Sequence, residues 1–182
     1  MPNAGSAMRS IAGLGQVMQM AYLPSDFDAA LRYWTQVIGA GPFFLLENVT
    51  LDDARYQGSP TAAVFSLALG YWGDMQIELI RPENDESSVY NGVYGVRDRL
   101  HHVCLIVDSA DEARRMCAAT GAKVVFEARV GESGEVLYID PGAGPGGLVE
   151  VLHPAPGTAD LFAMMREAHR VWDGTEPVRK LT

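Results

Sequence analysis

Two stretches, 19-QMAYLPSDFDAALRYWTQVIGAGPF-43 and 102-HVCLIVDSADEARRMCAATGAKVVF-126, read as two versions of one pattern. Each starts as a short apolar strand and turns through Asp and Ser residues that can cap a helix. Each then runs into an amphipathic helix, with Ala29, Ala30, Tyr33, Trp34 and Val37 as the apolar positions of the first and Ala113, Met116 and Cys117 of the second. Both helices should stop at a Gly-Ala pair, at Gly39 and Gly121. Asp28 aligns with Asp111, Ala30 with Ala113 and Arg32 with Arg115, with a one-residue slip before the glycines. Similarity at this separation marks a duplicated supersecondary unit.

Three strands should follow each helix: 43-FFLLENVTL-51, 62-AAVFSLALG-70 and 75-MQIELI-80 in the first half, 123-KVVFEARV-130, 135-EVLYID-140 and 148-LVEVL-152 in the second. The expected fold is α+β: two tandem βαβββ modules forming a curved mixed sheet, plus a C-terminal helix. The divisions are a flexible arm over 1–15, a first module over 16–80 and a polar, turn-rich linker over 81–99. A second module follows over 100–154, then a C-terminal helix and exposed tail over 155–182. The helix is marked by Leu161, Met164, Met165 and Ala168 at helical spacing in 159-ADLFAMMREAHRVW-172.

The chain has 182 residues, 48% of them hydrophobic, enough for one substantial core or two small modules of about 60–80 residues. A net charge of −9 with no basic cluster argues against nucleic acid as a partner. No apolar run has the ~18–20 residues of a membrane span, and the start lacks the continuous apolar region of a secretory signal. Cys104 and Cys117, one on a strand and one on a helix, read as buried, reduced residues of a cytoplasmic protein.

Two acids break this apolar pattern. Glu78 lies within 75-MQIELIRP-82 and Glu150 within 146-GGLVEVLHP-154, both on strands that should be buried. A carboxylate there is costly unless it is paired. Strand parity puts Gln76 and Ile80 on the face of Glu78, with Met75, Ile77 and Leu79 opposite. It likewise sets His102 against Val103, Leu105 and Val107, Glu150 against Val149 and Val151, and Gln19 against Met18, Met20 and Tyr22. Each half thus has an apolar face for its helix and polar residues on the other. One reading is structural: the acids pair with Arg81, Arg97 or Arg99, and His102 is a satisfied core histidine. The other is a shared polar site.

QMAYLPSDFDAALRYW, MQIELIRP, LHHVCLIVD and GGLVEVLHP, in that order, resemble the vicinal oxygen chelate superfamily, which includes glyoxalase I, methylmalonyl-CoA epimerase, extradiol dioxygenases and bleomycin-resistance proteins. The resemblance covers about 17–154. It implies a metal site on the concave face of the sheet, built from the first and last strands of each module: Gln19, Glu78, His102 and Glu150. Such a set suits one divalent cation, Zn²⁺, Ni²⁺, Co²⁺, Mn²⁺ or Fe²⁺. It is the set of glyoxalase I, so the resemblance implies a lyase or isomerase that moves a proton beside a chelated carbonyl or enediolate. Glu150 would be the base and Glu78 would share the task. Leu23 and Pro82 stand where glyoxalase I has an arginine and an asparagine, which argues against glutathione. The alternatives are a non-enzymatic, drug-binding protein and, with Gln19 counting against it, an iron-dependent extradiol dioxygenase. Tyr22, Phe44, Trp72, Tyr90 and Tyr138 are aromatics available to line a pocket for a small-molecule substrate, though more of them should be core or rim. His101 should face away from His102, and His153 and His169 should face solvent. A homodimer is expected, since such sheets expose an edge.

Overall fold

A computed structural model describes residues 10–142 and 147–181; Gly146 and the first nine residues of the arm lie outside them. The strands are β1 (Val17–Tyr22), β2 (Phe43–Val49), β3 (Asp52–Tyr56), β4 (Ser59–Pro60), β5 (Phe65–Trp72), β6 (Met75–Pro82), β7 (Leu100–Ile106), β8 (Lys123–Val130), β9 (Gly134–Asp140), β10 (Leu148–His153) and β11 (Val178–Lys180). The α-helices are α1 (Phe27–Arg32), α2 (Ala110–Thr120) and α3 (Thr158–Arg170). All strands join one mixed sheet in the order β11-β2-β5-β6-β1-β7-β10-β9-β8-β3-β4.

The duplication is visible in that order. β2-β5-β6-β1 and β7-β10-β9-β8 are one arrangement traversed in opposite senses, joined where β1 runs antiparallel to β7. Within each half the first strand lies parallel to the last, β1 to β6 and β7 to β10. The slip between the two helices has a physical basis. α1 continues without a break into a π-helical turn over Tyr33–Ile38, which absorbs the extra residue, whereas α2 is regular. Both end as expected on glycines in the left-handed region, Gly39 at φ 78° and Gly121 at φ 77°. Asp26 caps α1 by accepting the Ala29 N–H at 2.8 Å.

The helices cover the convex face, as parity requires. Phe27, Leu31 and Trp34 bury against Ile77, Leu79 and Ala68, and Ala110, Ala113 and Cys117 against Leu137, Ile139 and Val151. The apolar stripe of the first helix is thus set by Phe27 and Leu31 at i, i+4 spacing, and Tyr33 and Val37, expected on it, are exposed. The concave face has its own core, with Phe65, Ile80, Tyr90, Phe126, Val136, Tyr138 and Leu148.

Four expectations are corrected. The first module carries an additional hairpin, β3–β4, and β3 pairs with β8 of the other half. β2 pairs with β5 as far as Val49 and β3 begins at Asp52, so only two residues, Thr50 and Leu51, with roughly 10 Å of extended chain from Val49 to Asp52, separate strands next to opposite edges of the curved sheet. The linker is not wholly solvated: Val89 and Tyr90 are buried in the concave core. The tail is not free, because β11 adds to β2 in parallel and Leu181 packs near α3. Nor is the described part of the arm loose, since Ile11 and Leu14, on a 3₁₀ turn, pack against the cluster under α2. In each case apolar residues of the segment pack onto a sheet face, a helix or the core.

Candidate metal centre

Glu78, Gln19, His102 and Glu150 sit in that order on four strands that are consecutive in the sheet, β6, β1, β7 and β10. Register brings three of them together. Ala21 pairs on one side with Glu78 and on the other with His102. Its methyl group leaves the space in which the carboxylate and the imidazole meet over β1, with Glu78 Oε2 3.3 Å from His102 Nε2. Glu150 is two residues along from the position opposite His102, and its Oε2 lies 2.9 Å from the same Nε2. One candidate ligand atom from each of Glu78, His102 and Glu150 falls within 4.8 Å of the others, and all three come from a single chain.

Gln19 lies on β1, between the strands of Glu78 and His102. Its Nε2 donates to Gln76 Oε1 at 2.7 Å, and Gln76 in turn donates to Tyr71 Oη at 3.2 Å. This fixes the amide so that Gln19 Oε1 is buried without a hydrogen-bond partner, while Glu78 Oε2 has the 3.3 Å ion-pair contact with His102 Nε2. Both residues line one cavity together with Glu150. A buried acceptor left unpaired costs about 1–3 kcal/mol, so the Gln19 oxygen needs an explanation. A divalent cation supplies one, because it takes lone pairs from oxygen and imidazole nitrogen alike. Two arginines of the structural alternative are engaged elsewhere, while its histidine is paired. Arg81 pairs with Glu83 at 2.8 Å and stacks over Phe27, and Arg97 donates to the Pro24 carbonyl. Among the described residues the ion-pair partner of both Glu78 and Glu150 is His102 alone.

His101 corrects the sequence reading most usefully. Both neighbouring histidines are fully buried, and their Nδ1 atoms lie 2.8 Å apart. His101 Nε2 is 2.9 Å from the Val89 carbonyl, to which it can only donate. Its Nδ1 must then accept, so His102 Nδ1 carries the proton that it donates. The relay leaves His102 Nε2 as the atom facing the carboxylates, the tautomer a metal ligand needs. Burial, followed by the charge of His102, pushes His101 down to about 3, which keeps it an acceptor. The sequence signal was present as the pair HisHis, but parity alone placed the two rings apart. We expect His101→Phe to weaken divalent-metal affinity roughly 10–100-fold, the usual cost of losing an outer partner. His101→Asn, which can both donate and accept, should recover part of it in competition against a metal-indicator dye; equal losses in both would remove the relay.

Burial would lower His102, but the hydrogen bonds and charges of Glu150 and Glu78 outweigh it and raise the ring to about 9. Burial, with help from Glu150, raises Glu78 against the pull of His102. A histidine bound more tightly to its proton in the fold than at its unfolded value of about 6.5 stabilises fully below that value. That contribution disappears as pH rises through about 9. The raised Glu78 works in the same direction at lower pH. Chelator-treated protein should therefore melt at progressively lower temperature from pH 6.5 to 9, and metal-loaded protein should not. A melting temperature that rises over that window without metal would contradict this assignment.

Other residues fall where parity did not put them. Met18 lines the cavity with Gln19, because a register shift between Val17 and Gln19 turns it inward. Of the five candidate aromatics only Tyr90 and Tyr138 reach the cavity; their hydroxyls are 2.7 Å apart. Tyr22 packs beside Trp34, Phe44 lies under α3 and Trp72 is largely exposed. Burial, then the nearby carboxylates, raises both Tyr90 and Tyr138, so both stay protonated. His169 does not face solvent freely: Nδ1 donates to the Gly41 carbonyl at 2.6 Å and Nε2 accepts the Gly73 N–H at 3.2 Å. His153 Nδ1 lies 3.3 Å from the Val107 carbonyl. Cys104 and Cys117 are free and buried, as expected.

Comparison with known proteins agrees with this fold. A family model described as the Glyoxalase/Bleomycin resistance protein/Dioxygenase superfamily matches residues 18–138. Methylmalonyl-CoA epimerase from Mycobacterium tuberculosis is similar in structure at TM-score 0.54 and 22% identity, over 84% of this chain and 98% of its own. Hypothetical protein BH1468 from Bacillus halodurans C-125 is similar at TM-score 0.54 and 18% identity, over 77% of this chain and 94% of its own. A Streptomyces coelicolor methylmalonyl-CoA epimerase variant in complex with 2-nitronate-propionyl-CoA gives TM-score 0.51 and 15% identity, over 79% and 96%. No curated protein matches the sequence.

Proposed function

Because the chain belongs to the glyoxalase/bleomycin resistance protein/dioxygenase superfamily, we propose that it is a metal-dependent lyase or isomerase that moves a proton beside a carbonyl of a small organic substrate. The observation that carries this reading is the buried cluster of Glu78, His102 and Glu150 with the unpaired oxygen of Gln19. Those four residues would hold one divalent ion, Zn²⁺, Ni²⁺, Co²⁺, Mn²⁺ or Fe²⁺. When bound it supplies Lewis acidity to a pair of substrate oxygens, which makes the neighbouring C–H more acidic.

The protein's own groups do the rest. Glu150 accepts the proton from carbon and returns it to the substrate, and Glu78, across His102 from it, serves the opposite side. His101 holds His102 in one tautomer throughout. Of the hydroxyls of Tyr90 and Tyr138 one donates to the other, which leaves the second O–H free to donate to a substrate oxygen. The apolar walls exclude water from the proton in transit.

The site needs no second subunit for Glu78, His102 or Glu150. A homodimer would therefore serve stability rather than complete the triad. A non-enzymatic binding protein is the second reading, favoured by the mainly apolar lining of the cavity. The two are separated by solvent exchange. Metal-loaded protein should exchange the C–H beside the carbonyl of a bound 2-hydroxy ketone in D₂O, followed by NMR. Tight binding of metal and ligand without exchange would favour the binding protein.

A further inference from the structure

The cavity above the cluster has a composition that the cluster alone does not require. It measures about 220 Å³ and is walled by apolar side chains, among them Val49, Leu67, Val136, Leu152, Leu161 and Phe162. Its charged lining residues are Glu78 and Glu150, and no lysine or arginine lines it among the described residues. The volume is below the roughly 300–1,000 Å³ of sites for drug-sized ligands. Part of the wall comes from α3, outside the segment matched by the family model. Met165, 1% exposed, anchors that helix on Phe44, Leu69 and Tyr71 of the concave face. One turn earlier, Leu161 and Phe162 reach the cavity.

We infer that the substrate is small and uncharged over its body, an aliphatic or aromatic group bearing a pair of chelating oxygens at one end. This inference rests on the proposed metal site for the oxygens and on the lining for the rest. A phosphate or a second carboxylate held here would lack a counter-ion, would be stripped of water, and would face the negative field of Glu78 and Glu150. A coenzyme A or glutathione conjugate could place only its acyl end within these walls, and no lysine or arginine of the lining would meet its anionic groups. α3 thus sets specificity for apolar bodies.

Three hydroxamates test this on metal-loaded protein, since all chelate through the same two oxygens. By isothermal titration, hexanohydroxamate should bind roughly 10²-fold tighter than acetohydroxamate, the order expected for four buried methylenes. Adipic monohydroxamate, with a carboxylate at the far end of an equal chain, should lose that gain. Phe162→Lys should reduce the preference for the neutral chain while metal content, measured on the same samples, stays at the wild-type level. A second arm needs no metal. Chelator-treated protein should bind the neutral apolar dye N-phenyl-1-naphthylamine, and Phe162→Lys should weaken this at least tenfold. Hydroxamates that bind within threefold of one another, or a preference for the carboxylated chain, would overturn the inference while leaving the metal site intact. Protein that takes up no metal yet binds the dye through Phe162 would overturn the metal site and leave the apolar cavity standing.

Discussion

Glu150→Gln should leave much of the bound metal in place and lower the rate of proton exchange roughly 10²–10⁴-fold, the usual contribution of a general base. The substitution keeps the size of the side chain and an oxygen that can still be a ligand. It removes the negative charge and the basic lone pair. The surroundings should tolerate it, because the groups beside Glu150, the His102 imidazole at 2.9 Å and the Cys104 thiol, can both donate to an amide oxygen. Metal content and exchange are therefore to be measured on the same sample. A variant that loses metal and exchange together would make Glu150 a ligand only. Exchange at the wild-type rate would transfer the role of base to Glu78, whose burial-raised carboxyl binds a proton more firmly than an ordinary one.

Much of this site was legible in the chain because strands and helices write their faces with fixed periods. Glu78 and Glu150 stood out as acids flanked by valine, isoleucine and leucine, and the duplicated pattern placed them at equivalent positions. What was not legible depended on contacts between elements. Ala21 looks like any small strand residue until register sets it between Glu78 and His102. Tyr90 belongs to a segment whose composition reads as linker, yet its ring enters the concave core. The β3–β4 hairpin was hidden because 52-DDARYQGSP-60 is polar, and its pairing with β8 depends on how far the sheet curls. His101 was misplaced by a rule about Cα–Cβ direction, which says nothing of where a ring nitrogen ends up. α3 was recognised as an amphipathic helix, but a single helix cannot announce which surface it will cover. Its burial on the concave face, and with it the wall that Leu161 and Phe162 give the cavity, emerges only in three dimensions.

Gln19, Glu78, His102 and Glu150 are proposed to hold one divalent ion, and His102 is the residue on which both carboxylates converge. His102→Ala deletes the nitrogen ligand and leaves two buried carboxylates facing each other without a cation between them. It should cost more metal affinity than the roughly 10–100-fold expected for an outer partner such as His101. Without metal, its repulsion should be relieved by protonating Glu78, so the fold should persist at mildly acidic pH, as a thermal melt would verify. The decisive measurement is the metal content per chain of protein purified without chelator and then dialysed, by inductively coupled plasma mass spectrometry. We expect close to one equivalent of a single divalent metal in the wild type and none retained by His102→Ala. A wild-type protein that keeps no metal after incubation with Zn²⁺, Ni²⁺, Co²⁺, Mn²⁺ or Fe²⁺, or a His102→Ala variant that keeps as much as the wild type, would contradict the account.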